Sequence, residues 1–433
     1  MAVHTVIKCS VLVGMLFFMQ GFGSEPGNVL IHINTAGTSA SPVAPMKLFI
    51  GVLGSGRQRP DCARFVQSLE HCLTFEKRFS VASKILENAP LKKEEITALF
   101  GHGYDAALYV TFEDLHKPVE WRLYETKSGE MVSGKRLATL AYVKDAAYGI
   151  ACRVIEELMA QKMPFLTKIA FVENDKKNKK NYVMVVDFDG ASPQVLFSSR
   201  RVVLDPSWSL KIDNPYLVLS EFTPTNVRLV AIDMEGRKFV VFDQPGTIVG
   251  ISYRSDGKEV VYCRSGNIWH YVYDEKTCKG VHHRVFEAPA VSASPSVLPN
   301  GDIIYCAGGK IRLYVAATGK QLVLTPRGYN VAPAYSMAAN QVIYSSRING
   351  VMQLFVYDLQ HKTTKQLTFG KGDKTDPCWS PCGIYVAFCF EQGAESRIAI
   401  INKNTKEYWF ITAPGRYCRS PSWSTYFNSL ILA

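Results

Sequence analysis

The chain lacks a membrane-spanning run, and it lacks the short motifs that mark most catalytic sites. Its first apolar stretch, Val11–Met19, has nine residues, fewer than half of the roughly 20 that a spanning helix needs. No later segment is long enough either, so a chain without a direct membrane span is expected. No Gly-x-Ser-x-Gly occurs, and no hydrolase-sized domain follows the repeats described below, which argues against a serine hydrolase. No His-Glu-x-x-His occurs, which removes the commonest zinc-protease pattern. Cys378-Trp379-Ser380-Pro381-Cys382 has no second cysteine pair at zinc-site spacing. His282 and His283 are neighbours on what reads as an outer strand, where successive side chains point to opposite faces and make a poor metal pair. Gly129–Lys135 approaches a phosphate-loop pattern, but Arg136 stands where a hydroxyl should hold magnesium and no helix follows, so it reads as a hairpin. Basic and aromatic residues are not interleaved, and nucleic acid is not an expected partner. No catalytic residue, metal or cofactor is assigned.

What the chain does have is a phrase that returns. Pro206-Ser207-Trp208-Ser209 recurs as Ile251-Ser252-Tyr253-Arg254, Pro295-Ser296-Val297-Leu298, Pro333-Ala334-Tyr335-Ser336, Pro377-Cys378-Trp379-Ser380 and Pro421-Ser422-Trp423-Ser424. The central residues are spaced 45, 44, 38, 44 and 44 apart. A period near 44 is the length of one four-stranded propeller blade, and six copies imply six blades. Tight-turn pairs such as Asn300-Gly301 follow the phrase, then runs rich in β-branched and aromatic residues. Sets of second-to-fourth strands should begin near residues 168, 216, 258, 302, 341 and 384, and inner strands near 206, 250, 295, 333, 377 and 421. The set at 168–200 has no inner strand before it, and the last phrase has no set after it. Ser422–Ser424 is therefore expected to complete the first blade and leave no open sheet edge.

The front of the chain does not repeat. Residues 1–23 read as a signal peptide, with Val11–Met19 as its apolar centre and cleavage after Gly23. Residues 24–45 read as a tether rich in Ser, Thr, Gly and Pro. Only Asn28–Asn34 has strand character there, and it suits either pairing with a sheet edge, in this chain or another, or the first strand of the next domain. Residues 46–164 read as a small mixed α/β domain. Strands are expected at Lys47–Leu53, Ala106–Thr111, Val119–Tyr124 and Gly134–Thr139, and helices at Asp61–Thr74, Lys92–Phe100 and Val143–Gln161. Residues 165–433 form the expected all-β six-bladed β-propeller.

Ten of the 11 cysteines follow residue 23. An exported chain permits disulfides, yet Cys263, Cys306 and Cys389 share one repeat position with Ser220 and Ser345, which points to packing of a small side chain. Cys62 and Cys72 are ten residues apart on one expected helix and are expected on different faces. The net charge of +11 suits anionic envelope surfaces, acidic partners or solubility alone. The basic run Lys176–Lys180 reads as a hairpin tip.

A signal peptide, a strand-like tether, a mixed α/β domain and six Pro-x-Trp-Ser repeats, in that order, resemble the TolB family, periplasmic components of the Tol-Pal system of Gram-negative envelopes. The resemblance implies a monomeric, non-catalytic scaffold that supports outer-membrane integrity and cell division. It implies that the peptidoglycan-associated lipoprotein Pal binds at the channel mouth, on loops just before each phrase. Here those positions are Leu204, Asp205, Ile248, Val249, Ser292, Ser294, Asn330, Val331, Thr375, Asp376, Tyr417 and Arg419. It also implies that the inner-membrane protein TolA pairs with the tether, here Val29, Leu30, Ile31, His32, Ile33 and Asn34, although the acidic and basic residues usual in the family are missing from that segment. The alternative is an exported propeller enzyme or small-ligand binder with its ligand in the channel, which would need convergent polar groups there. A surface adhesion module is a third reading.

Overall fold

The computed structural model describes residues 44–426, apart from 54–58, 76, 88–91, 112–117, 138–142, 211–214, 254–258 and 275–278. The expected signal peptide, residues 1–23, and the expected tether segment Val29–Asn34 lie outside the described residues. Two compact units part between Leu166 and Thr167.

The first unit is built on β1 (Met46–Leu53), α1 (Arg59–Thr74), β2 (Phe79–Leu86), α2 (Lys93–Gly101), β3 (Ala106–Thr111), β4 (Val119–Glu125), β5 (Met131–Leu137) and α3 (Val143–Met159). The sheet order is β2-β1-β3-β4-β5. β1 runs parallel to β2 and β3, and the rest is antiparallel. Alternation sets the two faces. Leu48, Ile50 and Val52 are fully buried, while Phe49, Tyr109 and Tyr124 pack with Ile96 of α2. β2 has no counterpart in the strands expected from sequence. Its exposed Ser80 and Lys84 and half-exposed Ser83 blur the alternation of an edge strand. The hairpin strand β5 starts at Met131, three residues before the expected Gly134. Cys62 and Cys72 share the buried stripe of α1 with Phe65, Leu69 and Leu73, which corrects the expectation of different faces. Three turns span about 10.8 residues, so a ten-residue step lags by less than the width of an apolar stripe.

The second unit is a ring of six four-stranded antiparallel sheets. The inner strands are Val203–Trp208, Ile248–Tyr253, Ser292–Val297, Asn330–Ser336, Asp373–Trp379 and Cys418–Trp423. The last of these pairs with Lys168–Asp175, so the end of the chain completes the first blade.

Each letter of the repeated phrase has a distinct task. The proline cannot donate to the ladder, and pairing skips beside it. The first serine links blades: Ser252 Oγ accepts from Val297 N at 3.2 Å, Ser296 Oγ from Tyr335 N at 2.9 Å and Ser422 Oγ from Trp208 N at 3.4 Å. The tryptophan fills the core between sheets, as Trp208 and Trp379 do, and sends its indole N–H to a neighbouring strand. Trp208 Nε1 donates to Ser422 O and Trp379 Nε1 to Ala334 O, both at 3.1 Å. The second serine ties the inner strand to the second strand: Ser209 and Ser380 accept from the N–H of Tyr216 and Tyr385 across the turn, and Ser424 from that of Lys168 across the seam.

The repeated cysteines are reduced and buried. Cys263, Cys306 and Cys389 donate their thiols to the carbonyls of Ser292, Asn330 and Cys418, each on the next inner strand. They pack between blades and bridge nothing.

Candidate functional site: the mouth of the propeller channel

Each inner strand begins two to four residues earlier than the phrase suggests. Eleven of the twelve positions expected on loops therefore lie within inner strands, and Tyr417 forms an isolated bridge with Ser396. The cause is one residue per blade. Asp205, Gly250, Ser294, Ala332, Asp376 and Ser420 all have φ between 49° and 61°. Each precedes the first residue of the phrase. The left-handed turn there lets the strand bulge and then resume its pairing. A non-glycine residue in this region costs about 1–2 kcal/mol, so five of the six positions are held by surrounding structure rather than by preference. At Gly250 a Cβ would stand 2.7 Å from Ser294 Cα, so only glycine fits.

These six residues ring a cavity of about 230 Å³ on the channel axis, with Cys378, Ser422 and Trp423 among the deeper lining. Of the twelve expected residues, the structure brings together Asp205, Ser294 and Asp376 on this ring. Ile248, Ser292 and Asn330 are buried instead. Asn330 holds its own loop: its Nδ2 donates to Thr325 Oγ1 at 3.1 Å and to Arg327 O at 2.7 Å. Sequence reasoning missed Gly250, Ala332 and Ser420. The signal was available, because all six ring residues sit at one repeat position immediately before the phrase.

The ring is rich in acceptors. Asp205 Oδ2 accepts from Gly250 N at 2.9 Å, and its Oδ1 from Ser420 Oγ at 3.3 Å. Asp376 stands on the ring with its side chain open to the channel mouth. Desolvation by the inner strands crowded around it, with the negative charges of Asp205 and Glu391, pushes its carboxyl up to about 7, and Arg419 acts in the opposite direction. Burial pushes the Cys378 thiol up to about 12, with Asp376 adding to the effect, so it is a poor nucleophile near neutral pH. The lining holds no histidine. Among the described residues no group of three or more His, Cys, Asp or Glu is placed to hold a metal ion, and no helix is long and apolar enough to cross a membrane.

A closed six-bladed ring with a small polar mouth defines the class of β-propeller proteins. The family of the TolB beta propeller domain matches residues 155–319 and 307–433, and the chain belongs to it. Among relatives, the Tol-Pal system protein TolB of Syntrophotalea carbinolica is 33% identical over 92 residues, which is 21% of each chain. The corresponding protein of Bordetella avium is 25% identical over 201 residues, 45% of this chain and 44% of that one. The chain thus matches between a fifth and less than half of the length of these relatives. The crystal structure of TolB from Acinetobacter baumannii superposes with a TM-score of 0.71 at 19% identity, covering 88% of this chain and 97% of that chain. At that identity the likeness concerns the fold.

Proposed function

We propose that this chain is a non-catalytic periplasmic scaffold of the Tol-Pal envelope system. It binds the Pal lipoprotein at the channel mouth and a TolA-like protein through the tether segment Val29–Asn34. Residues 1–23 act as the export signal, residues 24–45 as the tether, 46–164 as the α/β domain and 165–433 as the propeller. The observation that carries the reading is the ring at 205, 250, 294, 332, 376 and 420. Six left-handed positions converge on one small mouth, where acceptors line the ring and no histidine or reactive thiol accompanies them. Such a mouth offers shape and charge to an inserted group, and its thiol is a poor nucleophile. Family membership names the system in which such a platform works.

The test is calorimetric titration of the exported chain with the soluble domain of Pal from the same organism. One-to-one binding is expected, with affinity lost when Asp376→Lys and Arg419→Glu reverse both charges at the mouth. Absence of binding by the unaltered chain would overturn the Pal assignment. Deletion of residues 27–34 is expected to abolish binding to the TolA domain and leave Pal binding measurable.

A further inference from the structure

Every inner strand begins at the mouth end of the ring, and antiparallel pairing returns each second-to-third hairpin to that same end. The loops gathered there are basic. Lys177 and Lys179 sit on one hairpin tip, Arg347 beside another, and Arg200, Arg327 and Lys371 on the loops that lead into inner strands. All six are exposed, and none is in an ion pair among the described residues. Acids at this end are fewer and mostly engaged. Asp175 caps the turn of Asn178, Glu173 pairs with Arg416, and Glu395 accepts the N–H of Gly415; Glu287 stands open. At the far end, acids and bases alternate, and Asp187 and Asp233 are paired with Lys168 and Arg237.

Between the cations stand apolar tips. Val291 is 81% exposed, Phe369 61% and Tyr329 49%. These tips are braced from beneath. Buried Lys374 donates Nζ to the carbonyls of Phe369, Gly370 and Lys371 at 2.8–3.2 Å. Asn330 clamps the loop of Arg327 and Tyr329, and the Arg347 guanidinium lies 5.0 Å from the Tyr329 ring centre. A surface held in shape before contact loses less freedom on binding, and uncompensated cations around it favour a partner of opposite sign.

We propose that the mouth end of the propeller docks an acidic protein surface, whose carboxylates meet the basic rim while its centre faces the acceptor-lined ring. This rests on the reading of the mouth as the partner face. The rim cations steer the encounter and the braced apolar tips supply short-range contact.

The test uses the full exported chain, in unaltered form and with Lys177→Glu, Lys179→Glu, Arg327→Glu and Lys371→Glu combined. Three probes are titrated: the soluble Pal domain, a polyglutamate peptide, and vesicles of phosphatidylglycerol with phosphatidylethanolamine. Raising salt from about 0.1 M to about 1 M shortens the screening length from about 10 Å to about 3 Å and is expected to weaken Pal binding by about tenfold or more. The rim variant, folded by circular dichroism, is expected to lose a similar factor and to lose polyglutamate binding. Pal binding that ignores both salt and the rim variant would overturn this inference and leave the Pal assignment intact. If Pal fails to bind, rim-dependent polyglutamate binding still supports the inference, and its absence sinks it. Rim-dependent binding to vesicles with none to polyglutamate would overturn it in favour of a lipid surface.

Discussion

Throat and rim are fed by the same six inner strands, yet they carry opposite charge and obey different rules. At the throat, Asp205 and Asp376 occupy positions that every blade must fill with a left-handed residue, and their neighbours are other blades. On the rim, Lys177, Arg327 and Lys371 stand on loops that face solvent. Geometry binds the throat, so its composition is nearly an architectural property. The rim has little geometry to satisfy, so its charge is a free choice.

This contrast can be strained from the throat outwards. The largest effect is expected at the closing strand. Trp423 is buried, and its indole donates to Thr167 Oγ1 at 2.7 Å. Trp423→Ala should cost about 3–5 kcal/mol, read as a lowered denaturant midpoint of the propeller transition; a loss below about 1 kcal/mol would mean that ring closure does not govern stability. Next comes Gly250→Ala. The added methyl meets the Ser294 backbone at 2.7 Å in a left-handed conformation, and about 1–3 kcal/mol should be lost. Ala332→Gly, at φ 50°, should instead relieve strain and leave stability within about 1 kcal/mol of the parent.

A pH-dependent effect of known sign belongs to Asp376. Its carboxyl titrates near 7 in the folded chain against an ordinary value of 3.8. The folded state therefore holds the proton more tightly than the unfolded one. That stabilisation is fully present below about 3.8 and is lost as pH rises through about 7. Stability measured between pH 5 and 8 should fall more steeply in the parent than in Asp376→Asn; identical slopes would remove Asp376 as the cause. The smallest effect is expected on the rim, where Lys177→Glu should change stability by no more than about 0.5 kcal/mol. If it changed stability as much as the throat variants do, the contrast would collapse.

The six blades were legible because Pro-x-Trp-Ser compresses four packing tasks into four letters, each repeated at blade length. The closing strand followed from unequal strand sets at the two ends of the ring. The starts of the inner strands were not legible, for a definite reason. Proline has no N–H for the ladder and reads as the first residue of a strand, so Asp205, Ser294 and Asp376 before it read as loop. Only the pairing of six blades holds them left-handed inside strands. The expected mouth residues thus lie within three positions of the ring, and the ring itself was missed at Gly250, Ala332 and Ser420. β2 escaped because an edge strand with Ser80, Ser83 and Lys84 presents little alternation.

Closure by the last inner strand also has a consequence in time. Ser424 and Lys168, joined across the seam, are 256 residues apart in sequence. As the chain is made, blades two to six can form from near neighbours, but the first blade waits for its inner strand. Contacts of such long range are slow to form. The closed ring and its mouth exist only once the propeller sequence has emerged. A chain cut short before Cys418 would display an unpaired edge instead, open to proteolysis and to mispairing.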